Sequence, residues 1–194
     1  MSNRIIAIGR QFGSGGRTIG KKVAEKLGIP CYDDEIMERM AIESGLAPEY
    51  LKQQTDRIAS RNWLSHALYA GNFIGSSYQD ELWALQNKII KELAEKGPCV
   101  FVGFCSEYIL RKHDNCLRVF IYADLEKRAK RIVEQYGETA EAPEKRVKEK
   151  DRRRATYYQY YTDLKWGEAK NYHISLNSGT MGIDQCVDIL TNLY

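Results

Sequence analysis

Apolar positions along this chain recur with two periods. Residues 4–9 (RIIAIG) form a short, almost continuous apolar run, as a strand buried on both faces of a parallel sheet requires. After the glycines at 13, 15 and 16 the period changes: Ile19, Val23 and Leu27 recur at helical spacing, with Lys21, Lys22, Glu25 and Lys26 on the other faces. The same alternation continues to the end. Further strands are expected at 31–32, 99–103 (CVFVG), 117–123 (LRVFIYA) and 172–176. Between them lie helical stripes: Ile36, Met37, Met40 and Ala41; Leu82, Leu85, Ile89, Ile90 and Leu93, stopped by Gly97-Pro98; Leu125, Ala129, Ile132, Val133 and Tyr136; and Ile183, Val187, Leu190 and Leu193. Residues 49–77 carry Trp63, Leu64, Leu68, Tyr69, Phe73 and Ile74 in a mainly helical pattern. Strand and helix in alternation imply an α/β domain, a parallel sheet with helices on both faces and right-handed crossovers.

Strand, glycine-rich turn and helix in that order point backbone N–H groups and a helix N-terminus at an anion. Residues 13–18 (Gly13, Ser14, Gly15, Gly16, Arg17 and Thr18) therefore form a candidate phosphate-binding loop, and the Thr18 hydroxyl is a candidate Mg²⁺ ligand, directly or through water. The match to the P-loop pattern G-x-x-x-x-G-K-[ST] is incomplete in either register. Aligned on Gly16-Arg17-Thr18, the lysine has become Arg17 and the first glycine Gln11; aligned on Gly13-Ser14-Gly15, Gly16 stands at the lysine position. Without a ligand role, the same residues are an ordinary glycine turn.

Two further stretches carry candidate chemistry. Asp33 and Asp34 end the second strand on the side where parallel sheets hold ligands, although either also serves as the N-cap of the next helix. The helix that begins near Pro143 has an inward stripe of Val147, Asp151, Arg154 and Tyr158, so a carboxylate and a guanidinium stand where leucines are expected. With Arg146, Lys150 and Arg153 beside it, this is either a solvated charged helix or a basic lid over an anionic ligand. Its tyrosines at 157, 158, 160 and 161 seat the helix on the core or offer ring faces to a base.

The 194 residues suit a single domain. A net charge of +3 is too small to argue for nucleic acid, no run approaches the ~20 apolar residues of a membrane span, and no signal peptide precedes the first strand. Five scattered cysteines without a C-x-x-C fit reduced thiols in the cytoplasm, and the three histidines show no metal-ligand spacing.

The whole string resembles the cytidylate kinase-like family, a branch of the P-loop nucleoside monophosphate kinases, over nearly its full length. The likeness rests on RQFGSGGRTIGKKVAEKLGIPCYDDEI, GPCVFVGFCSEYIL, VFIYADLEKRAKRI, DRRRATYYQYYTDLKWG and YHISLNS. It implies a three-layer α/β/α fold: a five-stranded parallel core (about 1–33, 97–136 and 162–194), a helical acceptor-binding insertion (about 34–96) and a mobile helical lid (about 137–161). It further implies ATP as donor with Mg²⁺, held at residues 13–18. Arg128 and Arg131 would embrace the transferring phosphate, and Asp151 and Arg154 would match the D-x-x-R that holds the acceptor nucleotide. From their places at strand ends, Asp33, Asp34 and Phe104 are expected on the acceptor side as well, and Arg17 or the lid must supply the donor-phosphate cation.

The departures bear on the acceptor. Where cytidylate kinases carry G-R-D, this chain has Gly103-Phe104-Cys105, so the arginine for the acceptor phosphate and the aspartate for cytosine are both missing. The expected function is an ATP-dependent phosphotransferase acting on a cytidylate-like nucleoside monophosphate or a similar small acceptor, with Arg17, Arg128, Arg131 and Arg154 as its catalytic charges. The alternative is a nucleotide-binding module with a kinase fold and little or no catalysis. Nucleotides are the expected partners, nucleic acid and membranes are not, and the sequence leaves a homodimer open.

Overall fold

The computed structural model describes residues 5–51, 76–137 and 142–194. Five strands form one parallel sheet: β1 (Ile5–Arg10), β2 (Cys31–Tyr32), β3 (Cys99–Val102), β4 (Cys116–Tyr122) and β5 (Ile174–Asn177), in the order β2-β3-β1-β4-β5. The central β1 pairs with β3 from Ile5 opposite Cys99 and with β4 from Ile5 opposite Cys116. Residues Ile5, Ile6, Ala7 and Ile8 are wholly buried, as their unbroken apolar run demands.

The helices are α1 (Gly16–Leu27), α2 (Asp34–Ser44), α3 (Ser76–Glu95), the short α4 (Ser106–Ile109), α5 (Leu125–Tyr136), α6 (Pro143–Thr162), the short α7 (Ser178–Met181) and α8 (Ile183–Leu193). Two cores lie on opposite faces of the sheet. One joins Ile5, Ala7 and Phe101 to Ile36, Met40, Ile89, Ile90 and Leu93 of α2 and α3. The other joins Ile6, Ile8, Val119 and Ile121 to Ile19 and Val23 of α1 and Val187 and Leu190 of α8. A third, small cluster of Ala129, Ile132 and Val147 packs α6 on α5.

The expected three-layer architecture and every expected strand are present, with ends shifted by a residue or two. β4 starts at Cys116 rather than 117, and β5 runs from Ile174 to Asn177 rather than 172–176, because Tyr172 still belongs to the preceding turn. The helical pattern read at 49–77 falls mostly outside the described residues, as do positions 138–141 at the start of the expected lid. Cys99, Cys105, Cys116 and Cys186 are buried and Cys31 half-buried, all as free thiols. Burial pushes the Cys99 thiol up to about 12, so it is an inert core residue.

Candidate functional site

β1 delivers the chain into residues 10–15, and the loop is tied down from below. Gln11 N–H donates to Ile121 O (3.0 Å), the Ser14 hydroxyl donates to Gln11 O (2.9 Å), and the Ser178 hydroxyl donates to Ser14 O (2.5 Å). Gln11 Oε1 accepts from Ala123 N–H at 3.1 Å. Gly13 and Gly15 turn with φ of 76° and 79°, a region that only glycine enters without strain. Gly15 stands at the N-cap of α1, and no side chain caps that helix. Among the described residues, the N–H groups of Gly13, Gly15, Gly16, Arg17 and Thr18 have no acceptor. They form a row of open donors at a helix N-terminus, the arrangement that holds an anion.

Arg131, on α5, lies over this row. Its Nη2 donates to Thr18 Oγ1 at 3.0 Å, a Cβ on Gly15 would stand 3.3 Å from its Cζ, and its Nε is buried without a partner. An orphaned, buried guanidinium donor beside open backbone N–H groups fits the phosphates of a nucleotide. Thr18 Oγ1 accepts from Arg131 and has a second lone pair to offer a cation. No group of three or more acidic, histidine or cysteine side chains that could hold a metal by itself occurs among the described residues.

Arg17 is directed elsewhere. Its guanidinium pairs with both Asp33 and Asp34. Partial burial works against its charge, but the two carboxylates outweigh that, and its pKa is raised. The acidic pair at the end of β2 therefore meets the first turn of α1. Asp33 stands at the N-cap position of α2 without making a cap hydrogen bond, so it is a partner for cations rather than a cap.

Arg128 and Asp151 are likewise brought together. The guanidinium, 8% exposed, pairs with the Asp151 carboxylate and donates to Ala123 O (2.8 Å) and Phe12 O (3.1 Å). The second Asp151 oxygen accepts from Phe12 N–H at 2.7 Å. Asp151 thereby fastens α6 to the loop. Arg154, one turn further along, donates from Nη1 to Arg10 O at 2.9 Å and holds its guanidinium 5.5 Å from the centre of the Phe12 ring.

Beside the loop, across Arg10, lies a cavity of roughly 270 Å³. Its walls are Met37 and Met40 of α2, Gln79, Leu82 and Gln86 of α3, and Tyr157, Tyr158 and Tyr161 of α6; Phe104 and Cys105 line it from β3's end, and Trp166 closes it. The cations at its edge are Arg10, Lys150, Arg153 and Arg154. Of the residues expected on the acceptor side, Phe104 and Arg154 line this cavity, whereas Asp33, Asp34 and Asp151 do not. The tyrosines of α6 settle on α3: Tyr161 stacks on Trp83 (4.4 Å, 9°), and Tyr157 O–H donates to Gln86 Oε1 at 3.2 Å. Gln86 in turn donates to Phe104 O at 2.8 Å.

Sequence reasoning missed three residues here. Arg10 had one signal, a cation ending an otherwise apolar strand at the carboxyl edge of the sheet. Gln79, a buried side chain on the cavity wall, is hidden within an ordinary helical stripe. Glu107 is wholly buried on α4 with Oε2 unpartnered, and burial raises its carboxyl to about 7.

The chain and its fold have counterparts among known proteins. The model of the cytidylate kinase-like family matches residues 5–180. A cytidylate kinase of Archaeoglobus fulgidus is 28% identical over 190 residues, 95% of this chain and 91% of its own. The crystal structure of an uncharacterized protein from Eubacterium ventriosum superposes with a TM-score of 0.70 at 28% identity, over 97% of this chain and 96% of that one. Shikimate kinase from Acinetobacter baumannii, solved with shikimate, shares the fold at 16% identity, with a TM-score of 0.51 over 97% of this chain and 91% of its own.

Proposed function

The chain belongs to the cytidylate kinase-like family, and on that premise we propose that it is an ATP-dependent phosphotransferase acting on a nucleoside monophosphate, cytidylate-like, or on a similar small acceptor. The observation that carries this reading is the Arg131 guanidinium with its buried, unpartnered Nε, set over a row of open loop N–H groups beside an aromatic-walled cavity edged with cations. Phosphoryl transfer asks little covalent chemistry of a protein. It asks for alignment of the two reactants and for charges fixed around the moving group.

In this reading the loop N–H groups and Arg131 bind the donor phosphates, with Thr18 toward Mg²⁺. ATP supplies the phosphoryl group, and Mg²⁺ neutralises part of its charge. Arg154, anchored on Arg10 O, brings a lid cation to the boundary between loop and cavity. Arg128 serves from behind, by holding Asp151 and therefore α6 in place. Arg17 orders the end of β2 through Asp33 and Asp34 and so links the donor and acceptor sides. Tyr157 and Tyr161 with Trp166 form a wall against which a planar base can lie. The domain plan that accompanies the reading is a core, an acceptor insertion over about 34–96 and a lid over about 137–161.

A second reading, a binding module that turns over slowly or not at all, is favoured by one observation: Gly16 stands where a lysine is expected, and Arg17 is already paired. Purified protein with Mg-ATP and a panel of nucleoside monophosphates, read by ADP formation, separates the two. Acceptor-dependent ADP supports the transferase. Tight nucleotide binding with no acceptor-dependent ADP supports the module.

A further inference from the structure

Arg10 spans the boundary between the donor loop and the cavity. Its stem lies on the loop: a Cβ added to Gly16 would stand 2.6 Å from Arg10 Cβ and 3.0 Å from Cγ. Its head lies on the cavity floor: a Cβ on Gly103 would stand 1.8 Å from Nη1 and 2.5 Å from Cζ. Two residues without side chains, one at the start of α1 and one just after β3, therefore make the channel in which this arginine runs. No side chain longer than glycine fits at position 16 while Arg10 keeps its place, so the lysine missing from the loop and the arginine ending β1 are one arrangement.

The head is charged and under-used. Among the described residues its closest acidic contact is Asp33 Oδ1, 3.9 Å from Nη2, beyond hydrogen-bonding distance. Asp33 itself is taken by Arg17. The side chain is 20% exposed, and that exposure opens into the cavity it lines. A guanidinium carries five donors in a planar fork and keeps its charge. Burial draws its pKa down, and Asp33 and Glu107 oppose that. A partly buried cation with donors to spare, facing a cavity, calls for an anion.

The floor is also strained. After Gly103 (φ 86°), Phe104 and Cys105 both take left-handed backbone, with φ of 56° and 51°. Non-glycine residues rarely adopt this backbone, and strain of this kind gathers at ligand sites. Its effect here is to turn the 103–105 peptide under the Arg10 head, with Gln86 holding Phe104 O.

We propose that Arg10 is the acceptor-anion residue of this protein: from its channel between Gly16 and Gly103 it grips the phosphate monoester of the acceptor and holds it beside the donor loop. This rests on the phosphotransferase reading and adds to it the residue that selects a phosphorylated acceptor over the same molecule without phosphate.

The test is calorimetric binding of CMP, UMP, dCMP and AMP, each against its own nucleoside, to the wild type and to Arg10→Met, Arg10→Lys and Gly103→Ala. Arg10→Met keeps the stem on Gly16 and removes only the cation. The expected result is that the wild type prefers at least one monophosphate to its nucleoside by about tenfold or more. Arg10→Met should abolish that preference, Arg10→Lys should restore part of it, and Gly103→Ala, which displaces the head, should weaken it. Affinity for a non-hydrolysable ATP analogue should stay within about twofold in Arg10→Met, since the stem still supports the loop. Should Arg10→Met fail to fold, Arg10→Lys and Gly103→Ala carry the comparison. The assignment is overturned if no monophosphate is preferred by the wild type, if the preference survives in Arg10→Met, or if that variant loses the ATP analogue equally. Failure of the phosphotransferase reading looks different: the Arg10-dependent preference persists, but no acceptor yields ADP.

Discussion

The Arg128 guanidinium and the Asp151 carboxylate form an ion pair with only 8% and 15% of the two side chains exposed, and it joins α5 to α6 directly behind the loop. Removing one partner of a buried pair leaves the other without compensation. Asp151→Asn, which keeps the shape, is expected to cost about 2–3 kcal/mol in urea unfolding. Combined with Arg128→Met, the double-mutant cycle should return a coupling of about 1 kcal/mol or more. A coupling near zero would mean that α6 is held chiefly by Val147 and its neighbours.

Gly13→Ala tests the loop. At φ 76°, with an added Cβ only 2.8 Å from the backbone oxygen of Arg128, the variant must shift main chain against main chain. A loss of about 2 kcal/mol is expected, together with at least tenfold weaker binding of an ATP analogue. Calorimetric titration and thermal melts measure both. Unchanged nucleotide affinity in a well-folded variant would remove the loop from the donor site.

The kinetic roles of the arginines are separable. Arg131→Ala and Arg154→Ala should each lower kcat by roughly a hundredfold, the effect of losing a few kcal/mol of charge stabilisation in the transition state. Phe104→Ala, which offers packing alone, should act mainly on the acceptor KM. Steady-state kinetics of the three variants decide the matter. If Phe104→Ala abolished turnover and both arginine variants were unaffected, these charges would not be the catalytic ones.

Glu107 makes stability depend on pH. Its folded-state carboxyl is raised to about 7 from an ordinary 4.5, chiefly by burial. The protonated form is therefore favoured by folding. Its contribution is fully present below about pH 4.5 and is lost as pH rises through 7. The full span is about 3 kcal/mol. Urea unfolding at pH 5 and pH 8 should show Glu107→Gln gaining on the wild type at the higher pH. A constant difference between the two proteins would mean that Glu107 stays ionised throughout.

The fold was legible because its signals are local. The apolar run at Ile5–Ile8 reads as a central strand whatever surrounds it, and Ile19, Val23 and Leu27 announce α1 by spacing alone. The loop was legible for the same reason. The inward stripe of Val147, Asp151, Arg154 and Tyr158 was also visible, but its partners were not. Nothing in the sequence couples Asp151 to Arg128 rather than to a ligand, or Arg17 to Asp33 and Asp34 rather than to a phosphate; those choices follow from which helix faces meet. Arg10 showed only as a cation ending an apolar strand, because its position depends on two glycines far apart in the chain. No periodicity records that Gly16 and Gly103 leave one shared channel.

The stacking of Tyr161 on Trp83 has a thermodynamic consequence. With the hydrogen bond from Tyr161 O–H to Gln79 O (3.1 Å), it binds the far end of α6 to α3, while the middle of α6 is fastened to the loop through Asp151. One helix thus touches both the loop and the wall of the cavity. Where loop and cavity hold the two substrates as proposed, whatever factor the donor nucleotide contributes to acceptor affinity through α6, the acceptor must return to the donor in equal measure. Calorimetry should find the two affinities coupled by the same factor in either order of addition, and Trp83→Ala should bring that factor toward one.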